Sequence, residues 1–98
     1  MNERQYFVYI LMNEARTVLY IGMTNNLARR FEEHRVGLVD GFTKRYRCHH
    51  LVHFEVLGTA YDAITREKEL KGWSRKKKLG LIQRENPSLR DVSSVLSM

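Results

Sequence analysis

The stretch Tyr6–Met12, YFVYILM, is almost wholly apolar and sets the terms for the rest of the chain. Seven residues rich in Tyr, Phe, Val and Ile read as a strand covered on both faces, and hence as the centre of a sheet. The polar segment Asn13-Glu14-Ala15-Arg16 then makes a turn, and Thr17–Gly22 returns as a second strand, giving a β-hairpin. Gly22 allows a sharp turn of the backbone. Thr24 or Asn25 is placed to cap a helix over Asn26–Arg35. The expected apolar face of that helix is Leu27, Phe31, His34 and Leu38, with Arg30 at its edge. Arg30 and His34 are four residues apart and project from nearly the same face. Tyr9, Tyr20, Arg30 and His34 are therefore expected to converge on one region.

Gly37 and Gly41 bracket a loop that ends in the basic and aromatic string Phe42-Thr43-Lys44-Arg45-Tyr46-Arg47. Cys48–Leu57 reads as a third strand. Strict alternation puts Cys48, His50, Val52, Phe54 and Val56 on one face and His49, Leu51, His53 and Glu55 on the other. A helix over Ala60–Gly72 carries the stripe Ala60, Ala63, Ile64, Leu70 and Trp73, and another over Arg75–Glu85 buries Leu79 and Ile82. Pro87 ends it, and residues 88–98 read as a loosely attached tail. The expectation is a single α+β domain over residues 1–87, ordered β-β-α-β-α-α, followed by that tail.

A chain of 98 residues supports one modest core. Lys and Arg number 17 against 11 acidic residues, a net charge of +6, which points to a polyanionic partner, most simply nucleic acid. The lone Cys48 rules out an internal disulfide and suits a reducing compartment. No stretch approaches the roughly 20 apolar residues of a membrane helix, so a cytoplasmic protein with no membrane partner is expected.

Glu67 is the most telling single residue, because it lies within the apolar stripe of its helix, three residues from Ile64 and from Leu70. A carboxylate there loses hydration unless it gains a partner. One reading is a half-buried salt bridge to Arg30 or Lys71; the other is an oxygen ligand for a hard divalent cation. Arg30 is either surface charge or a guanidinium that grips a phosphate through two hydrogen bonds. Tyr9 and Tyr20 are core aromatics or, with nearby positive charge, groups that orient or deprotonate water. His34 is a buried, satisfied histidine or an acid–base group. The cluster Cys48, His49, His50 and His53 resembles a zinc ligand set, but alternation splits it between two faces. The cations Lys68, Lys71, Arg75, Lys76, Lys77 and Lys78 form a solvated face or, with Trp73 and with Lys44, Arg45 and Arg47, a surface that tracks phosphates.

Taken together these residues resemble the GIY-YIG nucleases. Phe7-Val8-Tyr9 stands for the first motif, with Phe and Val where the family name has Gly and Ile, and Tyr20-Ile21-Gly22 is the second motif intact. Arg30 falls ten residues beyond Tyr20, and Ala63 with Glu67 matches the alanine and metal-binding glutamate of a later helix. The late segment Glu69–Ile82 is similar to that of small stand-alone bacterial members. The resemblance spans about residues 5–87 and implies a three-stranded antiparallel sheet flanked by helices. It also implies metal-dependent hydrolysis of a DNA phosphodiester, with a place in DNA repair and partner proteins among the expectations. In that scheme Glu67 holds one Mg²⁺ or Mn²⁺, Tyr20 aided by Tyr9 positions or activates water, and Arg30 braces the phosphate. His34 joins this catalytic set, and Lys44, Arg45, Lys71, Arg75 and Lys76 are the expected DNA contacts. Asn86 is the counterpart of an asparagine that closes the site in some members, and Met23 stands where some have a lysine. The alternatives are a DNA- or RNA-binding module without cleavage, on the same fold, and a zinc-stabilised interaction domain.

Overall fold

Strand β1 (Tyr6–Met12) lies between β2 (Leu19–Thr24) and β3 (His50–Leu57), antiparallel to both, in a computed structural model that describes residues 5–39 and 41–96. Around this sheet pack α1 (Leu27–Arg35), α2 (Phe42–Tyr46), α3 (Ala60–Lys71) and α4 (Arg75–Gln83), with a short 3₁₀ turn at Ser93–Leu96. The central place of β1 follows from its sequence, since Val8 to Met12 are all buried. Val8, Ile10 and Met12 pack with Ile21, Val52, Ala63, Leu70 and Ile82 on the face covered by α3 and α4. Tyr9 and Leu11 pack on the opposite face with Leu27, Phe31, Cys48 and Leu51. Burying a side chain such as Ile10 or Leu11 contributes about 1.5–3 kcal/mol, so this short strand anchors two layers at once.

The hairpin turn is built by side chains rather than by glycine. Asn13 Oδ1 accepts from the backbone N–H groups of Thr17 and Val18, both at 2.9 Å, and Arg16 takes a left-handed conformation with φ of 59°. The cap of α1 is Asn26, not Thr24 or Asn25; its side chain accepts from Arg29 N–H, while Thr24 Oγ1 accepts from Asn26 N–H. Leu38 lies beyond α1 and is 74% exposed, so it does not extend the apolar face. Ile64 likewise departs from the α3 stripe and faces solvent. The segment 42–46, expected as loop, is the helix α2.

Two corrections concern β3. It begins at His50 rather than Cys48, and its register slips against β1: Ile10 pairs with His53 and Leu11 with Leu51, leaving Val52 as the extra residue of a bulge. Alternation therefore reverses there. Leu51 shares its face with Phe54, whereas Val52 joins the core on the other face. The tail is not loose either. Asp91 Oδ1 accepts from Leu51 N–H, Val92 N–H donates to Leu51 O, and the Asn86 amide donates to Val52 O at 3.1 Å. Residues 86–92 thus satisfy the backbone of the bulged edge strand and cover it.

A second clamp joins α3 to β3. Arg66 donates twice to the Glu55 carboxylate, at 2.7 and 3.0 Å, and once to Glu69. Burial raises the Glu55 pKa, but the hydrogen bonds and charge of Arg66 and His53 outweigh it and hold the group below the usual carboxylate range. Arg66 and Lys77 both lie over the Trp73 ring. No helix among the described residues is long and apolar enough to cross a membrane.

Candidate active site

Tyr9 and Gly22 face each other across the β1–β2 ladder, and the glycine is what lets the tyrosine ring lie flat over β2. A Cβ at Gly22 would come within 2.6 Å of Tyr9 Oη and 2.7 Å of its Cζ. Tyr20, two residues earlier on β2, lies beside Tyr9 with ring centres 6.3 Å apart. His34, one turn beyond Arg30 on α1, completes a triangle at 5.8 Å from Tyr9 and 5.5 Å from Tyr20. The hairpin and the helix after it therefore deliver their polar aromatics to one place.

His34 is 1% exposed, and both ring nitrogens are engaged: Nε2 lies 3.0 Å from Tyr9 Oη and Nδ1 2.8 Å from Thr43 Oγ1. Burial, and then the positive charge of Arg30, push its pKa down to about 4. The ring is neutral at physiological pH, with one N–H donor and one acceptor. Either Tyr9 donates to Nε2 while Nδ1–H donates to Thr43, or Thr43 donates to Nδ1 while Nε2–H donates to Tyr9. Tyr9 is also kept protonated. Burial and the neighbouring Tyr20 raise its pKa, and the lowering by Arg30 does not compensate. An easily ionised Tyr9 is thus not what this chain builds.

Arg30 is half-exposed, its Nη1 3.1 Å from Glu33 Oε1, and it is close enough to act on both Tyr9 and His34. Glu67 reaches the same region from α3, where it shares a helix face with the fully buried Ala63 and Leu70 and acts electrostatically on Tyr9. Its side chain is 19% exposed, and Oε2 pairs with Lys71 Nζ at 3.1 Å. The salt bridge foreseen as one reading of Glu67 is therefore present, to Lys71 rather than Arg30. A half-buried carboxylate that keeps part of its surface open to solvent fits a Mg²⁺ or Mn²⁺ ion that takes its other ligands from water and substrate phosphate. No group of three or more His, Cys, Asp or Glu among the described residues is arranged to hold a metal. Cys48 is buried in the core, His50 contacts Glu14 at 2.8 Å, and His53 contacts Glu55 at 2.9 Å, so the zinc-like cluster is dispersed.

The expected DNA contacts separate into groups. Lys71, with Lys78 from α4, lines a groove beside Tyr20 and Phe42. Lys44 and Arg45 stand on α2, where Arg45 lies over the Tyr46 ring. Arg75 and Lys76 sit farther along α4, and Arg75 donates to Arg16 O. Asn86 is not part of the cluster. It is 6% exposed, and its amide is consumed by Val52 O, Arg90 O and Arg90 N–H at the β3 edge, away from Tyr20. Sequence reasoning missed Thr43, the buried partner of His34, because a threonine in an apparent loop carries no sign of its contacts.

The sequence profile of the GIY-YIG catalytic domain matches residues 5–80, and the chain belongs to the GIY-YIG family, a family of nuclease type. Among its relatives, it is 39% identical to a UPF0213 protein of Syntrophus aciditrophicus over 82 residues, which is 83% of this chain and 92% of that one. A UPF0213 protein of Staphylococcus aureus is 38% identical over 78 residues, covering 80% of this chain and 94% of the relative. The fold is similar to the solution NMR structure of a UPF0213 protein from Bacillus halodurans, with a TM-score of 0.58 and 25% identity, covering 93% of this chain and 96% of that one.

Proposed function

We propose that this chain is a divalent-metal-dependent DNA nuclease whose reacting phosphate lies against Tyr9, Tyr20, Arg30 and Glu67. The observation that carries the reading is convergence on Tyr9: Tyr20 of β2 lies beside it, and Arg30 of α1 and the half-buried Glu67 of α3 both act on it electrostatically. Glu67 would hold the cation, and a bound cation of this kind stabilises negative charge on phosphate and leaving-group oxygens. Arg30, loosely engaged by Glu33, exchanges that partner for the phosphate and favours its added negative charge in the transition state. Tyr20, less buried than Tyr9, faces the attacking water and orients it. Tyr9 works as a neutral hydrogen-bonding group held in place by His34, which Thr43 holds in turn. Lys71 balances Glu67 and, with Lys78, holds the strand near the site.

Labelled DNA incubated with Mg²⁺ or Mn²⁺ tests this. Cleavage that stops with EDTA and in Glu67→Gln is the expected result. The Lys71–Glu67 pair favours one competing reading, a binding module in which the lysine permanently takes the place of a cation. DNA that is bound but left intact by the parent under all metal conditions would establish that module instead.

A further inference from the structure

The groove at the β2 edge is distinct from the cluster of Tyr9, His34 and Glu67 but shares Tyr20 with it. It is lined by Leu19, Tyr20, Ile21, Phe42, Lys71 and Lys78 and encloses about 250 Å³. Phe42 stacks on Tyr20 at 6.1 Å with an interplanar angle of 30°, and Tyr46 follows at 4.7 Å from Phe42. Phe42 and Tyr46 are 44% and 41% exposed, so α2 holds two large rings in water directly beside the site. The lysines Lys71 and Lys78 reach the same groove from α3 and α4. Lys78 is half-buried there while its neighbours Lys76 and Lys77 are exposed.

We infer that this groove receives an unpaired nucleobase next to the scissile phosphate, so that the substrate is DNA with a single-stranded segment at the point of cleavage. The inference rests on the nuclease reading for the position of that phosphate. Aromatic rings opposite cations are the two halves of a single-strand site: the ring takes the flat face of a base, and the ammonium groups take the phosphates on either side. In continuous duplex the faces of the bases are covered by their neighbours, and a base reaches such a slot only after unstacking. Tyr20 belongs to both places, so an occupant of the groove is continuous with the strand at the catalytic cluster. The net charge of +6 and the two lysines select an anionic chain rather than an apolar peptide. Trp73 does not offer a second platform, because Arg66 and Lys77 already lie over its ring.

The test uses one oligonucleotide sequence carrying 2-aminopurine, offered single-stranded and as a duplex, to the parent, Phe42→Ala and Phe42→Trp proteins. Titrations in EDTA read binding, and assays with Mn²⁺ read cleavage. The expected result is quenching of the single-stranded probe by the parent, affinity weaker by about tenfold in Phe42→Ala, and recovery in Phe42→Trp. Duplex affinity stays unchanged in all three, and the parent cuts the single strand faster than the duplex. Unquenched probe, or equal binding of both forms, overturns the inference even if Glu67-dependent cleavage is intact. Absence of all cleavage removes the nuclease reading, while the EDTA titrations still decide whether the groove takes a base. If Phe42→Ala does not fold, parent quenching on single strand against duplex, with Phe42→Trp, separates the same two outcomes.

Discussion

One methyl group at Gly22 is enough to test the core of the site. Tyr9 cannot retreat from a new Cβ, because it is buried and its hydroxyl is bound to His34. Gly22→Ala is expected to destabilise the fold by about 1–3 kcal/mol through overpacking, measured by urea unfolding, with cleavage falling further than the loss of folded protein explains. A parent-like unfolding midpoint would mean that Tyr9 has room to move. His34 gives a second residue-scale prediction. Its folded pKa is about 4, below the ordinary 6.5, so between these values the unfolded chain binds more protons than the folded one. The stability from burying a neutral His34 is complete above about pH 6.5 and is lost as pH falls toward 4. Glu55 and Asp91, held below their ordinary values, lose their contributions at lower pH still. Urea midpoints at pH 7.0, 5.5 and 4.5 should therefore decline in the parent and much less in His34→Gln; parallel declines would refute the assignment.

Elements were legible in the sequence where one physical signal dominated. The apolar run of β1 could only be central, the pair of runs before Gly22 could only be a hairpin, and the Ala63, Glu67 and Leu70 positions fall on one face of α3. Those signals were enough to bring together Tyr9, Tyr20, Arg30 and His34, whereas Glu67 joined them only through the family resemblance. Where two signals competed, the reading failed. The bulge at Val52 inverts the alternation of β3 because Leu51 and Val52 each find a core on opposite faces, and no local propensity announces that. The helix α2 spans only Phe42–Tyr46, too short to show an apolar period, so Thr43 was invisible. The tail carries no helical or strand period, yet Asp91 and Val92 bond to Leu51 on the β3 edge, and Leu89, Val92 and Leu96 pack against the cores. Asn86→Ala should accordingly leave Val52 O unpaired and cost about 1–3 kcal/mol by urea unfolding, while cleavage per folded molecule stays at the parent level. A loss of cleavage without a loss of stability would restore Asn86 to the site.

For the molecule as a whole the dominant fact is the unbalanced charge of +6, carried in large part on α4 and on α2. Binding to single-stranded DNA should weaken steeply with salt, log K falling against log salt with a slope of about −0.7 for each phosphate neutralised. Lys78→Ala should flatten that slope by roughly one such contact in filter-binding titrations across a salt series, and an unchanged slope would take Lys78 out of the path of the strand. The same architecture also equips the chain with a silent gauge of its own breathing. Cys48 is fully buried, its thiol pKa is raised by that burial, and its N–H donates to Thr43 O at the junction of α2 with β3. A thiol packed among Tyr9, Leu11, Leu27, Phe31 and Leu51 is shut away while that layer is closed and becomes reactive when it opens. That layer holds Tyr9, whose hydroxyl meets His34. Its reaction clock therefore runs on the opening of the layer that seats Tyr9, and DNA held against Tyr9 would slow that clock without touching the sulfur.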